Sequence, residues 1–167
     1  LHLSLRRQRQ MCIRDRSMEA VGFYREYFST KGLLENEVYS GIREMLEDLK
    51  EHGKKLILAT SKPQPFTDRI MEHFDLAKYF EFIAGSNMDG TRSKKAEVIA
   101  YALESCNITD KFNVVMVGDR EHDIIGAKTV GIDSVGVEYG YGDYDELSDA
   151  GATYIVKTVE ELKGLLI

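Results

Sequence analysis

The chain has 167 residues, 22 basic and 28 acidic, with a formal net charge of −6 and 43% hydrophobic content, which suits one domain long enough to bury a core. No apolar run approaches the roughly 20 residues that a membrane span needs and no secretory pattern opens the chain, so a soluble, cytoplasmic protein is expected. The two cysteines, Cys12 and Cys106, are too far apart for a disulfide framework or a zinc site, and Cys106 reads as an inert, partly buried thiol.

Residues 1–16, LHLSLRRQRQMCIRDR, hold five arginines and one aspartate, leaving the rest of the chain with 17 basic and 27 acidic residues, a balance of −10. A basic arm can bind nucleic acid. Yet SLRRQRQMCIRDR resembles a translated sequencing-adapter peptide, so the segment is set apart as non-native, with natural sequence expected from about Ser17. Neither nucleic acid nor a membrane is expected as a partner of the acidic body.

From Met18 to about Lys31, Val21, Tyr24, Tyr27 and Phe28 fall near helical spacing. Leu33 to Val38 reads as a linker. Ser40 can cap a second helix whose face carries Ile42, Met45, Leu46 and Leu49, with Gly53 after its end. Leu56 to Ala59 is an apolar strand with Thr60 and Ser61 at its exit, and the only prolines, Pro63 and Pro65, turn the chain into a helix from about Phe66 to Phe74. A hydroxyl at a strand exit can donate to a phosphate oxygen, or simply cap a local turn.

Phe80 to Ala84 is a short strand, followed by the turn-rich loop GSNMDGTR. The next helix, SKKAEVIAYALESC, has Ser93 as its expected cap and a stripe of Val98, Ile99, Ala102 and Leu103. Lys95 lies three, four and seven residues before Val98, Ile99 and Ala102, which turns its stem inward, whereas Lys94 rotates toward solvent. Lysines in a first helical turn oppose the macrodipole at a cost of about 0.3 to 1 kcal/mol each, which an anion would offset.

Val114 to Val117 reads as a buried parallel strand stopped by Gly118, with Asp119 at its carboxyl end and Asp123 in the first turn of a helix closed by Gly131. In open α/β sheets ligands bind outside the carboxyl ends of the strands. Two carboxylates four residues apart at such a turn can hold a hard cation, or serve only the helix start. Asp133 to Val137 is a further strand, leading into GVEYGYGDYDEL, a glycine-tyrosine loop that either covers a ligand or connects to the short helix DYDELSDAG. Tyr154 to Val156 is the last strand, and Thr158 with Glu161 forms a capping box for the final helix.

Strand and helix alternate from Lys55 onward, which argues an α/β fold with a parallel sheet flanked by helices. The order ATSKP, GTRSKKAEVIAYAL, MVGDREHDIIGAK resembles the haloacid dehalogenase superfamily of phosphohydrolases, in particular its phosphoglycolate phosphatase and bacterial nucleotidase-like branch. The resemblance implies a Rossmann-like core in which Thr60, Ser61 and Lys95 hold the phosphoryl group, with Thr60 and Lys95 catalytic, while Asp119 and Asp123 hold Mg2+. It implies a small-molecule phosphate ester as substrate, of phosphoglycolate or nucleoside monophosphate type, hydrolysed through an aspartyl-phosphate.

One departure is plain. The family opens on a strand ending in DxD, which supplies the nucleophile and the general acid and base; here no DxD precedes Thr60, and Asp15 is the only aspartate before Asp48. The expected division is therefore 1–16 adapter-like, 17–38 a remnant of a helical cap and linker, and 39–167 the core without its central strand. Such a fragment is expected to be inactive. The alternative is a noncatalytic module that binds a phosphorylated ligand. A receiver domain also sets an aspartate, a hydroxyl and a lysine at strand ends, but with its carboxylates first in order.

Overall fold

The computed structural model describes Phe23, Tyr27 and residues 31–167. The chain divides into two units, Leu1–Glu37 and Val38–Ile167. In the first, Phe23 and Tyr27 are helical, Lys31 N donates to the Tyr27 carbonyl at 2.8 Å, and a 3-10 turn spans Gly32–Leu34 with Leu33 fully buried. That turn occupies the start of the expected linker. The segment 1–16 and the rest of the helix expected over 18–31 lie outside the described residues.

The second unit begins with α1, Ile42–Glu51, whose Met45, Leu46 and Leu49 are buried. Its N-cap is Gly41 and not Ser40: the chain enters the helix at φ +82, a left-handed conformation that glycine adopts without strain, and Ser40 stands one residue too early. Then come β1, Ile57–Pro63, α2, Gln64–His73, and β2, Phe82–Ser86. The long helix α3, Lys95–Ser105, is followed by β3, Val115–Gly118, α4, Glu121–Val130, and β4, Asp133–Val137. The chain closes with α5, Tyr144–Asp149, β5, Tyr154–Val156, and α6, Val159–Leu166. This is an α/β fold of parallel strands flanked by helices.

Helix α6 starts as the capping box requires, with Thr158 Oγ1 accepting from Glu161 N at 3.1 Å, although Glu161 Oε2 reaches back to Lys157 N rather than to the cap residue itself. Helix α3 starts one residue later than expected, with Lys94 in the N-cap position and no side chain capping it. Its first turn therefore depends on other compensation.

The strands form two sheets, β1-β2 and β3-β4-β5, all pairs parallel. Among the described residues no strand joins β1 to β3. Both strands show this in their exposure: every residue from Ile57 to Thr60 is only partly buried, and Val115 is 36% exposed, although each strand reads as a buried apolar run. The sequence left two outcomes open, a gap or direct closure of β1 on β3, and direct closure is not what the strands do. The gap's expected occupant, His2 to Leu5, lies outside the described residues.

Helix α3 spans the two sheets. Val98 and Ala102 pack with Ala84 and the partly buried Ile57, Ala59 and Phe82 of β1 and β2. One step round the helix, Ile99 and Leu103 pack with Ala127 and Ile132, and with the partly buried Val114 and Met116 beside them. The other face of β4 and β5 is closed by α1 and α6, where Met45, Leu46, Leu49, Val135, Val137, Val156, Val159 and Leu162 form one cluster. Burial of this kind contributes about 25 cal/mol per Å² of apolar surface, so these helices position the strand ends by their packing.

Candidate active site

At the carboxyl end of β1 the ladder breaks. Ala59 pairs with Ala84, but the next pair is Pro63 with Ser86, so Thr60, Ser61 and Lys62 occupy an irregularity in the register. Thr60 Oγ1 accepts from Lys62 N at 3.2 Å, a local turn that leaves its hydroxyl proton free to donate elsewhere. The Ser61 carbonyl accepts from Ser86 Oγ at 2.9 Å, which ties the bulge to β2. Burial lowers the Lys62 ammonium pKa from its ordinary value.

Lys95 is the inward lysine of α3 and Lys94 is exposed. Lys95 Nζ donates to the Ala59 carbonyl at 3.0 Å and pairs with Asp123 Oδ1 at 2.8 Å. These bonds link β1 to α4, so the side chain repeats electrostatically the bridge that the body of α3 makes by packing. An ammonium has three donors, and the third has no partner among the described residues. Room for the lysine stem comes from Gly126, where a Cβ would stand 2.8 Å from Lys95 Cγ.

Asp119 and Asp123 have different surroundings. Asp123 is buried, and besides Lys95 it accepts from Asp119 N at 3.2 Å and Arg120 N at 3.3 Å through Oδ2. Both of its oxygens are engaged. The family resemblance implies a place for it beside Asp119 at the metal; in the structure it anchors the lysine and the turn that carries Asp119. Asp119 Oδ2 accepts from Tyr141 N at 2.9 Å, and its Oδ1 has no hydrogen bond among the described residues.

Magnesium is commonly held by one or two carboxylates together with substrate phosphate and water. Asp119, with an open oxygen at a strand exit, fits as a ligand. Asp123, whose oxygens already hold Lys95 and two backbone amides, is the less open carboxylate of the two, and the described residues contain no cluster of three His, Cys, Asp or Glu side chains.

The residues missed in the sequence lie in the loop after β4 and at the start of α5. Gly142 N donates to the Asp119 carbonyl at 2.8 Å, and Glu146 Oε1 accepts from Glu121 N at 2.9 Å and from Arg120 Nε at 2.7 Å. This contact lowers the Glu146 carboxyl pKa and raises that of the Arg120 guanidinium. A Cβ at Gly140 would lie 2.3 Å from Asp119 Cβ, so only glycine permits the approach. Tyr139 is held against the ring of Tyr39 edge to face, with centroids 5.5 Å apart. Burial, with smaller contributions from Tyr39 and Asp119, pushes its phenol up to about 12. Glycines alternating with aromatics directly after a strand were the available signal, and here they mark close backbone approach rather than a flexible connection.

Residues 5–137 match the family described as haloacid dehalogenase-like hydrolase. The chain is 42% identical over 151 residues to a 5′-nucleotidase of Pseudomonas aeruginosa, covering 90% of this chain and 68% of that protein. It is 39% identical over 160 residues to the tyrosine-protein kinase PtkA of Mycobacterium tuberculosis, covering 95% of this chain and 55% of that protein. Among solved structures, a phosphatase candidate from Clostridium difficile superposes with a TM-score of 0.87 at 54% identity, covering 92% of this chain and 71% of the other. The chain thus spans about half to two thirds of the length of these sequence relatives.

Proposed function

Because the chain belongs to the haloacid dehalogenase-like hydrolases, we propose that Val38–Ile167 supplies the phosphate-holding and metal-holding part of a site that hydrolyses small phosphate monoesters. The observation that carries this reading is the partly buried Lys95 ammonium, fixed between the Ala59 carbonyl and Asp123 with one donor to spare. Phosphoryl transfer depends mainly on positioning and on neutralising charge as it develops. Thr60 and the adjoining Ser61 contact the phosphoryl oxygens, Lys95 neutralises them, and Asp119 holds magnesium. Bound there, the metal adds positive charge facing the phosphate. Asp123 orients Lys95 and the Asp119 backbone.

Relatives named 5′-nucleotidase and phosphoglycolate phosphatase support a nucleoside monophosphate or a small phosphorylated acid as the substrate class. The reaction we propose for the family site passes through an aspartyl-phosphate on the first Asp of a DxD. The present sequence has no DxD ahead of Thr60, so the 167-residue chain binds phosphate without turnover. That same observation favours the second reading, a noncatalytic module for a phosphorylated ligand.

Calorimetry with inorganic phosphate in magnesium buffer tests the site. Wild-type binding that is lost in Lys95→Gln and weakened in Asp119→Asn is the expected result; equal binding by the wild type and both variants overturns the assignment. Hydrolysis of p-nitrophenyl phosphate by the 167-residue chain above the buffer rate would overturn the claim of inactivity.

A further inference from the structure

We propose that Tyr141 sets the specificity of this site by stacking on a flat aromatic leaving group, so that nucleoside or aryl monophosphates are preferred over aliphatic acids such as phosphoglycolate. The inference rests on the phosphate site described above and narrows its substrate class. An exposed tyrosine is by itself ordinary. Here the backbone beneath the ring is fixed to the site at two successive positions, because Tyr141 N donates to Asp119 Oδ2 at 2.9 Å and Gly142 N donates to the Asp119 carbonyl at 2.8 Å.

The Tyr141 side chain nevertheless remains 87% exposed. An aromatic anchor on a backbone held in this way loses little freedom when a ligand stacks on it. Tyr139, two residues earlier, packs edge-on against Tyr39.

The charge around the loop gives an independent reason. From Glu138 to Asp149 the chain carries Glu138, Asp143, Asp145, Glu146 and Asp149 and no lysine or arginine. Glu146 is paired with Arg120, but a substituent bearing its own carboxylate would meet the like charge of the other four on this side of the site and would offer no face to the ring. A nucleobase is uncharged and flat, and stacking on an aromatic side chain is worth about a tenfold gain in affinity.

The test compares AMP, inorganic phosphate and phosphoglycolate by calorimetry in magnesium buffer, using the 167-residue chain and its Tyr141→Ala and Tyr141→Phe variants, with circular dichroism confirming the fold of each. AMP is expected to bind about tenfold more tightly than phosphate, a ratio that Tyr141→Ala abolishes and Tyr141→Phe keeps, while phosphoglycolate binds no better than phosphate. Phosphate binding with an AMP ratio unchanged in Tyr141→Ala overturns the specificity proposal and leaves the phosphate site standing. Failure of phosphate and AMP alike to bind overturns the site itself, and the specificity proposal with it.

Discussion

Lys95 Nζ lies 2.8 Å from Asp123 Oδ1, and the two side chains are 13% and 9% exposed. Charges withdrawn from water to this extent are stable only while paired, and Asp123 also satisfies the amides of Asp119 and Arg120. Asp119 carries no comparable structural duty, since its carboxylate accepts one amide bond that an asparagine oxygen can still accept.

Asp123→Ala should therefore destabilise the protein by about 3 to 5 kcal/mol, the usual cost of leaving one member of a buried pair alone. Asp119→Asn should change stability by less than about 1 kcal/mol while weakening magnesium binding. Urea unfolding of both variants checks this. Equal losses would mean that the two carboxylates share one role.

Gly140→Ala should detach the loop from Asp119, because the added methyl would lie 2.3 Å from Asp119 Cβ and 2.5 Å from Oδ2. Binding of Mn2+, followed by the loss of its free-ion electron paramagnetic resonance signal, is expected to weaken about tenfold or more, as for the loss of supporting contacts around a metal ligand. Unchanged Mn2+ affinity would show that the loop does not position Asp119.

Alkaline titration should reveal Tyr139. Its phenol is pushed up to about 12, chiefly by burial, so between the ordinary value of about 10 and about 12 the folded state keeps a proton that the unfolded chain has lost. Stability from this group is present below pH 10 and is lost as the pH rises toward 12. Phenolate absorbance near 295 nm should show a late component that disappears in Tyr139→Phe; the raised phenols of Tyr27 and Tyr79 remain in that variant.

Amide exchange should separate the strands. β4 is paired on both sides, by β3 and β5, whereas β1 and β3 each have one described neighbour. Amides of Val135 and Val137 are expected among the slowest, and those of Ile57 to Ala59 and Val115 to Val117 faster. Equal protection of β1, β3 and β4 would show that the facing edges of β1 and β3 are satisfied as fully as the centre of the sheet.

Local repetition in the sequence determined the order of strands and helices, because a helix face repeats every 3.6 residues and a buried strand shows as a short apolar run. The stripe Val98, Ile99, Ala102, Leu103 is buried throughout, and the same periodicity turned Lys95 inward and left Lys94 exposed. It also placed Asp119 at a strand exit. Where the cap depended on one backbone angle, at Gly41, or on which of two neighbours begins a helix, at Lys94, neighbouring side chains gave too little information.

Tertiary structure decided what those residues touch. Lys95 meets a carbonyl 36 positions away, and Tyr141 N meets a carboxylate 22 positions away; no local spacing encodes such pairs. The same packing engages both oxygens of Asp123 and leaves an Asp119 oxygen open, although the two aspartates look alike in sequence. Their roles diverge because α3 brings an ammonium to one carboxylate while the loop after β4 brings a single backbone amide to the other.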